Sequence, residues 1–309
     1  MAHSKNTTSQ QTTILLAGAT GELGSHIGQS LLQQGARVRA IVRPASNSEA
    51  IAILQEQGAS IIEVDFNNHL ELTKACAGVS CVVSALSGLR EVIVELQTLL
   101  LHAAVEAGVP RFIPSDYCID YTSFPQGTNR NLDLRREFNE ILNKAPIAAT
   151  SVLNGMFTDL LTGQAPVILF PLKRVLYWED ADQLLDFTTL ENTANFTALA
   201  ALDNSTPRYL RIAGQVISAH GLKHAASHVS GKEFELLRAG GVGRLDKLIR
   251  ITRALMPNSD AVFPPWQGMQ YLRNMFSGQA KLKALDNDRY PHIRWTSVSE
   301  VLASSLSTT

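Results

Sequence analysis

The stretch Ile14-Leu15-Leu16-Ala17-Gly18-Ala19-Thr20-Gly21-Glu22-Leu23-Gly24-Ser25-His26-Ile27 decides how the chain is read. Ile14 to Ala17 are consecutive apolar residues, the pattern of a strand buried on both faces. Gly18, Gly21 and Gly24 follow at G-x-x-G-x-x-G spacing, and Leu23, Ile27 and Leu31 then recur at helical intervals. Strand, glycine turn and helix in that order bring backbone N–H groups at a helix N-terminus up to a phosphate, where the helix dipole favours negative charge. A Cβ in the turn would block that approach or forbid its backbone angles. Gly28, one turn past Gly24, leaves the helix flat on the side that presses on a sheet. A bare glycine triplet also fits a plain strand-to-helix turn. The strand before it and the helix after it make it a dinucleotide-binding fingerprint.

Outward from this stretch the alternation repeats. Residues 37–43 read as a second strand ended by Pro44, and 48–57 as a helix stopped by Gly58. Strands are predicted over 60–64, 79–84, 109–114 and 147–153, with helices over 70–77, 91–107 and 128–143 between them. This order predicts βαβ units on a parallel sheet, which right-handed crossovers make open and doubly wound. After Leu153 the regularity loosens. Short apolar runs at 166–170 and 174–178 precede a candidate return to the sheet at 186–189. Short strands are expected at 209–212 and 234–237, and helices at 191–202, 220–230, 245–255 and 266–276. The expected division is a disordered leader over 1–12, a nucleotide-binding domain over 13–154, and a smaller α/β substrate lobe over 155–309 with segments returning to the main sheet.

The 309 residues carry 27 Lys and Arg against 28 Asp and Glu, so neither nucleic acid nor an anionic membrane is expected as a bulk partner. Cys76, Cys81 and Cys118 form no CxxC pair and leave one over, which suits reduced thiols in the cytoplasm. The longest apolar run, 92–105, is broken by Glu95, Gln97 and His102, so no membrane span is expected. The polar N-terminus lacks the apolar core of a signal peptide.

The end of the second strand selects the dinucleotide. NAD-specific sites place an acid there for the ribose hydroxyls. Here no Asp or Glu occurs between Glu22 and Glu49, and Arg43 stands at the strand end. A guanidinium can grip a 2′-phosphate that a carboxylate would repel, so the cofactor expected is NADP(H). Arg43 as a plain surface charge is the competing reading. Arg37 and Arg39 alternate with Val38 and Ala40, which suggests a solvated strand face.

Four segments together resemble one family. Gly18-Ala19-Thr20-Gly21-Glu22-Leu23-Gly24 resembles the GATGxxG opening of atypical short-chain dehydrogenases. Ala107-Gly108-Val109-Pro110-Arg111-Phe112-Ile113-Pro114-Ser115-Asp116-Tyr117 is similar to a segment of their NmrA-like and isoflavone-reductase-like branch. Val152-Leu153-Asn154-Gly155-Met156-Phe157 and Arg289-Tyr290-Pro291-His292-Ile293-Arg294-Trp295-Thr296 resemble two later stretches of that branch. The resemblance implies a Rossmann-type NADP-binding domain with a small C-terminal lobe and a small-molecule substrate in the cleft between them. It implies that Gly18, Thr20, Gly21, Glu22, Leu23 and Gly24 hold the pyrophosphate and that Arg43 meets the 2′-phosphate. Ser84, Ala85 and Leu86 would line the adenine and ribose side, with Pro114 and Ser115 beside the nicotinamide. Both of the latter groups end predicted strands, where open α/β sheets bind ligands.

The proton donor departs from the pattern. Reductases of this branch carry a lysine four residues before an Arg-Arg pair; the pair here is Arg135-Arg136, and the matching position is Asn131. The Tyr-x-x-x-Lys of typical short-chain dehydrogenases is absent: Tyr117 is followed by Tyr121 and Tyr121 by Pro125. A tyrosine with no neighbouring cation is a poor acid near neutral pH. The remaining candidates for catalysis are Asn131, Tyr117 and Asp116. At about 100° per residue Asn131 falls on the arc of Leu134, Phe138 and Leu142, with Arg135 at its edge. Asn131 as a helix-start residue bonded to backbone, and Asp116 as a turn cap, are equally open.

Arg135, Asn154, Phe157 and Trp178 are the candidates for substrate contact, and Phe157, Trp178, Trp266, Tyr271 and Phe276 would suit an aromatic pocket or simply core. His220, His224 and His228 recur at i, i+4, i+8, but no supporting carboxylate or cysteine pattern makes them a metal site. Cys118 reads as a buried thiol rather than a nucleophile. The expected activity is an NADPH-dependent oxidoreductase for a small aromatic or quinone-like substrate. The alternative is an NmrA-like redox sensor that binds NADP(H) without turnover; an epimerase is disfavoured by the missing Tyr-x-x-x-Lys. A homodimer or a regulatory protein partner is left open.

Overall fold

A computed structural model describes residues 12–44, 46, 48–257 and 260–307. The leader expected over 1–12 lies, apart from Thr12, outside the described residues. The first half alternates as the sequence pattern requires. It runs β1 (Thr13–Ala17), α1 (Glu22–Gln33), β2 (Arg37–Val42), α2 (Ser48–Glu56), β3 (Ser60–Glu63), α3 (His69–Cys76), β4 (Cys81–Ser84), α4 (Gln97–Glu106), β5 (Arg111–Ile113), α5 (Arg130–Leu142) and β6 (Ala148–Ala149). These six strands form one parallel sheet in the order β3-β2-β1-β4-β5-β6. Strand order reverses between β1 and β4, so their C-terminal ends open a crevice.

The two-residue period of a strand sorts the apolar side chains into two layers. Ile14 and Leu16 of β1 pack with Ile27 and Leu31 of α1, and Leu15 and Ala17 pack on the opposite face with Leu72 of α3 and Leu100 of α4. Truncating one such leucine to alanine costs about 2–5 kcal/mol. Asn68 caps α3 and Asn129 caps α5, each accepting a hydrogen bond from a backbone N–H of the first turn.

The second half runs β7 (Ser151–Leu153), β8 (Met156–Phe157), β9 (Ile168–Leu169), β10 (Arg174–Trp178), β11 (Leu185–Thr188), α6 (Leu190–Leu202), β12 (Tyr209–Arg211), β13 (Gln215–Ile217), α7 (Ala219–Ser230), β14 (Glu235–Gly240), α8 (Val242–Leu255), α9 (Pro265–Phe276) and α10 (Val298–Ser307). Small sheets β14-β10-β9 and β13-β11-β8 surround a third apolar cluster built from Leu153, Trp178, Phe187, Leu222, Phe234 and Phe276. α6 returns to the large sheet, where it lies along α1 with Ser30 Oγ donating to Asn195 Oδ1 at 2.6 Å.

Three local readings need correction. The strand predicted over 147–153 changes partner at Thr150: its N–H still bonds to Phe112 of β5, whereas Ser151 N–H bonds to Arg208, and β7 continues alongside β12. The helix predicted over 91–107 begins with a π-helical turn, Glu91–Leu96, before α4. Arg39 is half-buried rather than freely solvated: it donates to the carbonyls of Ala75 and Ala77, where the C-terminal end of α3 presents unpaired acceptors.

Candidate active site

A groove of about 200 Å³ occupies the crevice beside β1 and β4. Gly18, Thr20 and Gly21 line it from the turn after β1, Arg43 and Ser46 from the loop after β2, and Phe66 from the loop after β3. Ala85, Leu86 and Ser87 line it from the segment after β4, and Val92 and Leu96 from the π-helical turn. Gly18 takes φ +81°, and a Cβ on it would lie 2.6 Å from the Ala85 carbonyl oxygen. A Cβ on Gly24 would lie 2.0 Å from the Gly18 oxygen. The turn therefore folds back against the first turn of α1, where the N–H groups of Glu22, Leu23 and Gly24 lack acceptors within the helix. That is an anion site by geometry and dipole.

Arg43 is exposed, and among the described residues no carboxylate pairs with it. Its own carbonyl accepts from Ser46 N–H at 3.1 Å and Ser46 Oγ at 2.7 Å, which curls the loop back on itself. At the end of β4 the Ser84 hydroxyl is fully buried with no hydrogen-bond partner. Glycine-lined walls, a guanidinium with no carboxylate partner among the described residues, and a buried orphan hydroxyl fit a phosphorylated dinucleotide. Ser46, Phe66 and Ser87 were not among the expected contacts. A hydroxyl shortly after Arg43, an aromatic just past β3 and a second serine after Ser84 were the available signals.

At the end of β5, Ser115 ties two strand ends together. Its N–H donates to Gln97 Oε1 at 2.9 Å and its Oγ to the Leu86 carbonyl at 2.7 Å. Buried Gln97 stands where the π-helical turn passes into α4.

The three side chains read as candidates for proton transfer do not converge. Tyr117 turns into the layer between the large sheet and α6, with Phe196 and Ala198 in the same apolar cluster and its hydroxyl beside Thr197. Burial pushes that phenol far above the ordinary tyrosine range. Asp116 is fully buried, and its Oδ2 accepts from Tyr121 Oη (2.9 Å), Asn139 Nδ2 (2.8 Å) and Ser151 Oγ (2.6 Å). It ties the loop after β5 to α5 and β7, a larger role than a turn cap. Asn131 donates from Nδ2 to the Val262 carbonyl at 2.9 Å and accepts from Arg130 Nε at 3.0 Å, so its amide links the start of α5 to the segment before α9.

The substrate candidates also separate. Phe157, half-buried, packs against the cluster between the large sheet and the α1–α6 layer. Trp178 belongs to the C-terminal cluster with Cys118 and Leu153, so the two rings do not share one aromatic wall. Asn154 is fully buried beside Cys118, whose carbonyl accepts its backbone N–H, and neither amide atom of its side chain has a partner. Arg135 lies in α5 among Tyr271, Cys118, Asp116 and Tyr121. Cys118 is a buried thiol with its pKa raised by burial, and His220, His224 and His228 are exposed along α7.

Residues 10–259 match the model of the NmrA-like family. The chain belongs to that family. Among curated relatives, pinoresinol reductase 1 of Arabidopsis thaliana is 29% identical over 76% of this chain and 79% of its own length. Two solved structures share the fold of this NmrA-like protein. The complex of AtPrR2 with NADP+ and (+)pinoresinol superposes with TM-score 0.81 and 22% identity, over 96% of this chain and 99% of that one. A crystal structure of isoflavone reductase gives TM-score 0.81 and 22% identity, over 95% and 99%. Among the described residues no helix is long and apolar enough to cross a membrane.

Proposed function

We propose that this NmrA-like protein is an NADPH-dependent reductase of a small aromatic substrate, of the chemical kind that pinoresinol represents for its relatives. The observation that carries the reading is the glycine-lined groove at the β1–β4 crevice with Arg43 beside it, with which no carboxylate among the described residues pairs. Gly18, Thr20, Gly21, Glu22, Leu23 and Gly24 hold the pyrophosphate, Arg43 and Ser46 the 2′-phosphate, and Ser84, Ala85 and Leu86 the adenosine side. Pro114 and Ser115 stand towards the nicotinamide, and Asn154 and Phe157 towards the substrate. When bound, NADPH supplies the hydride.

What the chain itself supplies is position and exclusion. Ser115 fixes the spacing of the β4 and β5 ends through Leu86 and Gln97. Asp116 holds the loop after β5 against α5 and β7. With Tyr117 and Asp116 committed to core contacts and Asn131 to Val262, water in the cleft delivers the proton. Residues 13–154 form the nucleotide-binding part, and 155–309 form the substrate lobe.

The test is NADPH consumption by the full chain against aromatic ketones, enones and quinones, run beside a binding titration. Turnover on any aromatic acceptor is expected. Tight NADPH binding with no turnover on any of them overturns the reductase reading and leaves a redox sensor.

A further inference from the structure

α5 carries three arginines, and the fold treats them differently. Arg130 is saturated: it bonds to Asn131 Oδ1 and to the carbonyls of Ala261 and Val262, and it lies over the Trp266 ring. Arg136 is saturated too, by Asp133 and the carbonyls of Tyr121 and Phe124. Elsewhere, buried Arg111 finds the carbonyls of Ala200 and Ala201 and the Thr206 hydroxyl. Arg135 differs from all of these. Its Nη1 donates to the Asn131 carbonyl at 3.1 Å, its Nε is buried with no acceptor, and no carboxylate among the described residues forms an ion pair with it.

A guanidinium stays charged at every physiological pH, and Arg135, half-buried overall, keeps its Nε–H buried without an acceptor, which is costly. The acid that acts on Arg135 electrostatically is Asp116; its Oδ2 is taken by Tyr121, Asn139 and Ser151, its Oδ1 is buried without a partner, and neither oxygen forms an ion pair with Arg135. With Nη1 spent on the helix backbone, the free edge is Nε with Nη2. That edge takes a carboxylate through two parallel hydrogen bonds. The surroundings describe the rest of the ligand. Tyr271 and Cys118 lie beside Arg135, and the apolar cluster that holds Cys118 also contains Trp178 and Phe276. Asn154, fully buried, bonds by its backbone to Cys118 and offers an amide with no partner.

We propose that Arg135 is a specificity-determining residue that reads a carboxylate on the substrate, so that this protein acts on an aromatic acid rather than a neutral aromatic. The proposal rests on the reductase reading for the reaction but not for the binding. Arg135 takes the carboxylate, the Asn154 amide a polar group on the body, and the apolar cluster the ring.

The experiment uses the full chain saturated with NADP+. Trans-cinnamate, 3-phenylpropionate and benzoate are titrated beside their methyl esters, against wild type, Arg135→Gln and Arg135→Lys. At least one acid is expected to bind ten-fold or more tightly than its own ester. Arg135→Gln should erase that preference and Arg135→Lys should keep part of it. The proposal is overturned if no acid outbinds its ester in wild type, a comparison that needs no variant to fold. It is equally overturned if the preference survives in Arg135→Gln. NADPH oxidation separates the two readings. Turnover of esters as fast as acids keeps the reductase and removes this inference. Arg135-dependent binding of acids with no NADPH consumed by any acceptor keeps this inference and removes the reductase.

Discussion

Replacing Gly24 with alanine tests the phosphate turn by adding one methyl group. The new Cβ would sit 2.0 Å from the Gly18 carbonyl oxygen, 2.8 Å from its carbon and 3.0 Å from Ala19 Cα. All three are backbone atoms, so no side chain can swing aside; the start of α1 and the turn must separate by more than an ångström. Overpacking of this kind costs about 1–3 kcal/mol. The same separation spoils the alignment of the amides with a phosphate, and losing about 1.4 kcal/mol there is a ten-fold loss in affinity. Gly28→Ala is the internal control. Its Cβ would meet Leu16 Cδ2 at 3.3 Å and Leu54 Cδ2 at 3.4 Å, both ends of flexible side chains, and helix propensity favours alanine. Denaturant unfolding and an NADPH titration on both variants are the assays. Gly24→Ala should lose about 1–3 kcal/mol of stability and at least about ten-fold in NADPH affinity, with Gly28→Ala within about 1 kcal/mol of wild type. Equal behaviour of the two variants would refute the reasoning.

Asp116→Ala leaves the Tyr121 hydroxyl, the Asn139 amide and the Ser151 hydroxyl without their shared acceptor, and should cost about 3 kcal/mol or more by chemical denaturation; a loss under about 1 kcal/mol would remove its structural role. Ser115→Ala removes only the 2.7 Å bond to Leu86, so about 0.5–1.5 kcal/mol should be lost, and a greater loss would mean that the hydroxyl does more than join two strand ends. Burial raises the Cys76 and Cys81 thiols to about 12, so the native protein should not react with a thiol reagent at pH 8. Above about pH 9 the unfolded chain ionises these thiols and the native one does not, so their contribution to stability falls as pH rises, and rapid native-state labelling would contradict this. Partial burial disfavours the ionised Asp203 carboxylate, but hydrogen bonds from Ser205, Arg289 and Tyr290 outweigh it and hold the carboxyl well below its usual range. That stabilisation is present above about pH 4 and is lost as pH falls through the depressed value. Asp203→Asn should therefore lose stability at pH 7 and flatten the acid limb of the pH–stability curve, and an unchanged limb would refute the assignment.

What the sequence disclosed and what it hid divide along a physical line. The turn from Ala17 to Gly24, the parallel alternation and Arg43 at the end of β2 were legible because each depends on local backbone angles or on a period of 2 or 3.6 residues. The direction of a side chain past a strand end was not. Tyr117 and Asp116 are adjacent in sequence, yet one enters the α6 layer and the other the bonds to Asn139 and Ser151. Partners distant in sequence decide both: Phe196 and Thr197 for Tyr117, and Asn139 and Ser151 for Asp116. Arg39 looked solvated because nothing nearby in sequence shows where α3 ends in space. The π-helical turn before Gln97 was hidden because one extra residue in a helical turn leaves the apolar pattern nearly intact. α10 was missed altogether: Val298 and Leu302 are buried, a stripe too short to stand out among the serines around it.

The most direct measurement compares NADPH and NADH binding to wild type and Arg43→Ala by calorimetry. A charge-assisted hydrogen bond contributes about 1.5–3 kcal/mol, or about ten- to one-hundred-fold in affinity. Wild type should prefer NADPH, and Arg43→Ala should lose about that factor for NADPH while NADH changes by less than about three-fold. Equal losses for both nucleotides, or no preference in wild type, would contradict a guanidinium grip on the extra phosphate.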